Sequence, residues 1–415
     1  MARATSQLTW WERPGLDVRA GRLSIAGRDA ESIAREHGTP LYVHDLTRVE
    51  EQARALQAAL AGAGLRHRVR LALKAQRESA VLALLRSLGP PGSPESVGMD
   101  VCSPGEVRWA LDHGWEPSEI SYTGTNLSAR DLDLVLEAGV HLNVDLLTQL
   151  DRVGARAPGS VVGIRINPRI GAAYPGGGQS YAGDRPTKFG IYPERLVEAL
   201  DIARRHDLAI DTLHVHAGYL YLTDALPVVE ETMRRVAAAT RMLIDAGCPI
   251  VEINTGGGLG VPFRPGDLPL DLDAWAAVLA RHLGPLDVVV GTEPGEFLTK
   301  ECAVHLAEVV SVEDRDGTTF IGLDTGWNVI NEHFVYGIPF HPILCRAADA
   351  DPVGVVTVAG HINEGNDLLA EGHPMPRVEE GDIVAIPNVG SYNASMTSVH
   401  CLRPEATSVF FSDRT

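Results

Sequence analysis

The chain has 415 residues, 45% hydrophobic and 22% charged, with a formal net charge of −18, which is the balance of a globular protein with a sizeable core. The negative field argues against nucleic acid or anionic membrane as a partner, and no apolar run approaches the roughly 20 residues of a membrane helix. Five scattered cysteines with no CxxC pair predict neither a disulfide framework nor a metal site, and an N-terminus without the apolar core of a signal peptide predicts the cytoplasm.

In chain order, Leu16 to Ile25 holds two short alternating runs around a glycine turn. It is expected to form a hairpin that packs on something distant. From about residue 38 to 290 the pattern becomes strand, loop, helix, repeated. Candidate strands are Arg70–Lys74, Val97–Val101, Ile120–Gly124, His141–Asp145, Val162–Asn167, Leu213–Ala217, Val251–Thr255 and Leu286–Glu293. Strand–helix units in that number, spread over about 250 residues, predict a (β/α)₈ TIM barrel. Beyond residue 293 short β-type runs replace the helices. The fold class is therefore α/β plus all-β: a barrel over 38–290, and a C-terminal β-barrel or sandwich domain from 291–415 with 1–37. The glycine-rich stretch Gly171–Gly183 reads equally as a lid or an ordinary loop.

Nearly every barrel strand carries a polar residue near its C-terminal end: Lys74, Asp100, Asp145, Arg165, His216, Asn254 and Glu293. Polar residues at that end of a barrel read as catalytic. A desolvated strand-end lysine can act as an amine nucleophile and form a Schiff base, so Lys74 is the candidate. Gly256, Gly257 and Gly258, after the seventh strand, can form a backbone nest for a phosphate. A buried Glu293 facing a pyridine nitrogen would keep it protonated, and His216 could stack on such a ring. These requirements together point to pyridoxal 5'-phosphate.

The stretches Leu73-Lys74-Ala75, Asp100-Val-Cys-Ser-Pro-Gly-Glu106, Thr187-Lys-Phe-Gly190, His214-Val-His216-Ala-Gly218, Gly256-Gly-Gly258, Glu293-Pro-Gly295, Asp324-Thr-Gly326 and Gly390-Ser-Tyr392 add a resemblance. In this order they resemble the alanine-racemase-fold pyridoxal-phosphate decarboxylases, which include diaminopimelate and ornithine decarboxylases. The resemblance implies that Lys74 holds the cofactor, Glu293 faces its pyridine nitrogen and His216 stacks on it. Gly256, Gly257, Gly258 and Tyr392 would grip the phosphate, with Asp100, Arg165 and Gly295 completing the cofactor set. It also implies a head-to-tail homodimer, in which Asn363, Glu364 and Tyr392 of one chain complete the site of the other. Asn363 and Glu364 would join Lys74, His216 and Glu293 in the catalytic set.

The chain departs from that family at informative positions. Tyr219 replaces a phosphate-binding serine, Glu296 replaces the arginine of Glu-Pro-Gly-Arg, and Glu332 aligns near where diaminopimelate decarboxylases carry a second arginine. Those arginines serve the distal carboxylate of diaminopimelate, so two carboxylates in their place argue against that substrate. A cationic distal end, or a conjugated or carrier-bound amino acid, is expected instead, with Glu296, Glu332, Tyr336 and Glu364 facing the substrate. Asn363 replaces the cysteine that protonates the carbanion, and asparagine cannot act as that acid. Decarboxylation of an amino acid is the expected reaction. Racemisation, or other α-carbon chemistry on the same fold, is the alternative, and a cofactor-binding protein without catalysis is a further one. A metal-dependent barrel hydrolase using His214 and His216 is a remote one.

Overall fold

The computed structural model describes residues 10–175, 181–183 and 185–412. The central part of the expected lid, 176–180, lies outside the described residues.

Eight parallel strands close into a barrel. In order they are His67–Ala72, Val97–Val101, Ile120–Thr123, His141–Val144, Val161–Ile166, Ala209–Val215, Glu252–Asn254 and Val289–Thr292. The eighth pairs with the first and the fifth with the sixth, so the expected order of strands holds all the way round. Val69, Leu71, Met99, Val101, Ile164 and Leu213 are buried in the core. Each supplies apolar area worth about 25 cal/mol per Å² removed from water. At the start of the seventh strand, Glu252 accepts two hydrogen bonds from Arg70, at 2.6 and 3.1 Å. This bidentate pair closes the end of the barrel away from the strand C-termini.

Local signals explain how the chain leaves each strand. After the second strand, Ser103 accepts from the Glu106 amide at 3.2 Å, Pro104 opens the helix, and the Glu106 carboxylate accepts from the Cys102 amide at 2.7 Å. This reciprocal capping starts the helix directly after Asp100 and so fixes the strand end that presents it.

A second, mixed sheet of eight strands is built on the long strand Ala303–Arg315. That strand runs antiparallel to Leu41–Asp45, Thr318–Leu323 and Ile383–Pro387. The N-terminal hairpin forms as expected, from Leu16–Arg19 and Arg22–Ile25. It buries Leu16, Leu23 and Ile25 in one cluster with Val304, Leu306 and Ile383.

A loop of the second sheet reaches the barrel mouth. The Tyr392 amide donates to the Ala75 carbonyl at 2.9 Å, Ser395 Oγ donates to the same carbonyl at 3.1 Å, and Gln76 Nε2 donates to the Gly390 carbonyl at 2.8 Å. Only glycine fits at 390, because a Cβ there would lie 1.8 Å from the Thr299 carbonyl oxygen. No helix among the described residues is long and apolar enough to cross a membrane.

Candidate active site

The C-terminal ends of the barrel strands surround a cavity of about 320 Å³. Lys74 stands two residues beyond the first strand, and its Nζ donates to Asp100 Oδ2 at 3.2 Å. Burial is the largest influence on Lys74 and opposes its charge, but Asp100, Tyr392, Cys102 and Glu293 together outweigh it and lift the ammonium well above the usual lysine range. Lys74 is thus an ion-paired ammonium, where its strand-end position suggested a free amine. Asp100 is itself raised to about 7, by burial first and by nearby Glu293 second, against the pull of Lys74. Its other oxygen, Oδ1, is buried with no hydrogen-bond partner among the described residues.

Across the cavity, Glu293 follows the eighth strand. His214 Nε2 lies 3.0 Å from its Oε2, and Asn254 Nδ2 donates to its Oε1 at 2.6 Å. Burial alone would raise Glu293, but His214 and Arg70 hold it down to about 2. A carboxylate stripped of water yet kept ionised has been built here by two neighbouring strands. His216 is pushed well below the ordinary histidine range, by burial first and Arg165 second, and is neutral. Its Nδ1 accepts from the Gly257 amide at 3.2 Å, which assigns the proton to Nε2. Arg165 lies over the Phe189 ring, 4.5 Å from its centroid, and 3.6 Å from Asp145.

The glycines allow close backbone approach. A Cβ on Gly257 would meet the Glu293 carbonyl oxygen at 2.4 Å, and one on Gly258 would meet that of Gly218 at 2.5 Å. Both residues line the cavity, whereas Gly256 turns its polar groups inward: its amide donates to Asn254 Oδ1 and its carbonyl accepts from the Glu293 amide.

Lys74, Asp100, Arg165, His216, Gly257, Gly258, Glu293, Gly295, Glu296, Tyr336 and Tyr392 therefore share one cavity, while two expectations, on Tyr392 and Glu332, need correction. Tyr392 belongs to the site of its own chain, because its backbone is tied to Ala75 beside Lys74. Asn363 and Glu364, expected to serve the cavity of a second copy, are exposed and do not line the cavity of their own chain; Glu364 lies 3.0 Å from His400. Glu332 does not face the cavity either. It is fully buried, with Lys300 Nζ 2.6 Å from both its oxygens. The same ammonium lies 3.0 Å from Glu296 Oε2, which also accepts from Ser391 Oγ at 2.6 Å.

Sequence reasoning missed Lys300, although its spacing of four from Glu296 on a short helix was a usable signal. It also missed Tyr181, whose ring meets His216 edge-on at 4.5 Å. His214 was read only as a remote metal ligand, yet its ring is committed to Glu293.

An amine, a buried carboxylate kept ionised at the cavity wall, a neutral imidazole and a glycine cradle fit pyridoxal phosphate in both shape and charge. Residues 46–300 match the family model for the pyridoxal-binding domain of pyridoxal-dependent decarboxylases. The chain belongs to that family. It is a pyridoxal-phosphate-dependent carboxy-lyase of amino acids, and its fold is that of the alanine-racemase-fold decarboxylases. It is 32% identical over 408 residues to a diaminopimelate decarboxylase from Methanothermobacter thermautotrophicus, covering 95% of this chain and 92% of that one. It is also 32% identical to one from Streptomyces coelicolor, covering 92% and 86%. A diaminopimelate decarboxylase from Helicobacter pylori, solved in complex with L-lysine, superposes with a TM-score of 0.82 at 26% identity, covering 92% and 94%.

These relatives overturn the expectation against diaminopimelate and, with it, the conjugate, racemase and hydrolase alternatives. The charge argument behind that expectation fails for a structural reason. Glu296 and Glu332 share the ammonium of Lys300, and Glu332 is out of reach of any substrate. The cavity wall therefore does not carry two free negative charges.

Proposed function

We propose that this enzyme removes one α-carboxylate of diaminopimelate, releasing CO₂ and lysine. What supports the reaction is the pairing, within one cavity, of a lysine held by Asp100 with a carboxylate kept ionised by His214 and Asn254. What supports the substrate is the set of diaminopimelate decarboxylases that match this chain along nine-tenths of its length.

In this reading Lys74 would hold the cofactor through its amine, with Glu293 towards the pyridine nitrogen and His216 against the ring. Gly257, Gly258 and Tyr392 hold the phosphate. Bound pyridoxal phosphate supplies an electron sink for the pair left when the bond from the α-carbon to the carboxylate breaks. Glu293 stabilises the positive pyridine nitrogen electrostatically, at a site where water does not screen it. Asp100 takes the proton from the Lys74 ammonium so that the amine can react, and returns it afterwards. Lys74 would be the group placed to deliver a proton to the α-carbon, since Asn363 has no acidic proton to give.

The active form is a homodimer in this reading, with Asn363 and Glu364 of one chain approaching the cavity of the other. All five cysteines are free thiols, which supports a cytoplasmic location. The test is to incubate cofactor-loaded enzyme with diaminopimelate and measure CO₂ and lysine together. Equal amounts of both are expected; no CO₂ from this substrate would sink the reading.

A further inference from the structure

Tyr392 lines the cavity with its backbone at φ +52°, a left-handed conformation that a residue carrying a Cβ keeps only when its surroundings impose it. What imposes it here is a knot of buried polar groups on both sides of the residue. Before it, the Ser391 carbonyl accepts from Lys300 Nζ at 2.8 Å and from Asn393 Nδ2 at 3.0 Å, and Ser391 Oγ donates to Glu296 Oε2 at 2.6 Å. After it, Asn393 Oδ1 accepts from the Glu332 amide at 3.2 Å, and Asn393 Nδ2 reaches Glu332 Oε2 at 3.5 Å. Ser391, Asn393, Lys300 and Glu332 are all buried, where water neither screens these bonds nor competes for them.

Lys300 is the centre of the knot. Its ammonium meets Glu296, Glu332 and the Ser391 carbonyl together, and its own carbonyl accepts from the Gly390 amide at 3.0 Å. Glu296 opens the short helix Glu296–Thr299, three residues after Glu293. The knot therefore sets the position of loop 390–393 against the strand end that presents the ionised carboxylate. The Tyr392 hydroxyl stands over Gly295, 3.5 Å from where a Cβ on that glycine would lie. The Tyr392 amide supplies a further anchor at Ala75, beside Lys74. A side chain fixed through both of its neighbours is preorganised for its ligand, because little freedom is left to lose on binding.

We infer that Lys300, with Glu296 and Glu332, is a positioning residue that holds loop 390–393 so that the Tyr392 hydroxyl meets the cofactor phosphate. Two carboxylates that the sequence suggested as substrate contacts thus serve the cofactor, through Tyr392. This inference rests on the reading above that Tyr392 holds the phosphate.

The test titrates the full-length apoprotein with pyridoxal phosphate and, separately, with pyridoxal, which has the same ring and aldehyde but no phosphate. The visible absorbance of the lysine-bound ligand reports binding. Wild type, Ser391→Ala, Tyr392→Phe and the double variant are compared; Ser391→Ala removes one bond of the knot and leaves the Lys300–Glu332 pair in place. Tyr392→Phe should weaken pyridoxal phosphate about tenfold and Ser391→Ala about fivefold, with pyridoxal changed less than about twofold by either. In the Tyr392→Phe background, Ser391→Ala should add less than about twofold, because its effect passes through the hydroxyl already removed. Lys300→Met, titrated at a temperature where its circular dichroism matches wild type, should repeat the pattern with a larger loss. Unchanged affinity in Ser391→Ala, equal weakening of the two ligands, or full additivity with Tyr392→Phe would overturn the inference while leaving Tyr392 on the phosphate. Unchanged affinity in Tyr392→Phe would overturn both.

Discussion

Lys300 Nζ lies 2.6 Å from each carboxylate oxygen of Glu332, and both side chains are sealed from solvent. Together with Glu296, the pair joins the helix after the eighth barrel strand to the second sheet. Removing one partner of such a buried pair leaves charge stranded without water, which costs about 3–5 kcal/mol. Lys300→Met should therefore lower unfolding stability by about that amount, and adding Glu332→Gln should restore part of it. Denaturant unfolding of the two variants checks this. A Lys300→Met protein as stable as wild type would show that the cluster contributes nothing.

Lys74→Ala removes the amine that Asp100 holds in the cavity. The visible absorbance of the lysine-bound cofactor and the CO₂ release should vanish together. Full turnover in this variant would exclude Lys74 as the attachment point.

Asp100 predicts a pH dependence with a definite sign. Its folded value of about 7 means that it holds its own proton below that pH and cannot accept the one on Lys74. Above it the carboxylate is free to do so. Cofactor capture by the apoprotein, followed by stopped-flow absorbance, should accelerate as pH rises through about 7. Asp100→Asn should erase that inflection. An inflection that persists in the variant would assign it to another group.

Glu293→Gln keeps the shape of the side chain but not the charge that His214 and Asn254 are arranged to hold. Loss of an electrostatic stabiliser of this kind costs roughly 10²-fold or more in kcat. The visible absorbance should survive in this variant, which separates its effect from that of Lys74→Ala. A variant with wild-type kcat would remove Glu293 from the chemistry.

Gly258 has φ +99° and no room for a Cβ against the Gly218 carbonyl. Gly258→Ala places strain of about 1–3 kcal/mol at the cradle. Cofactor affinity, read by titrating the apoprotein, should fall by roughly tenfold or more. Unchanged affinity would move the phosphate away from this loop.

The sequence by itself determined the order of the barrel strands and the polar residue near the end of nearly every one, because strand periodicity and helix caps are local properties of the chain. It also placed Lys74, the glycine run and Glu293, whose positions follow from counting strands. The tertiary structure alone decided which distant groups meet. His214 reaches Glu293 from 79 residues away, Lys300 reaches Glu332 from 32, and the Tyr392 loop settles on its own chain beside Ala75. The misreading of Glu296 and Glu332 has this origin. The charge of a side chain is written in the sequence, but the ammonium that neutralises it, and the burial that hides it, arise only when separate elements pack together.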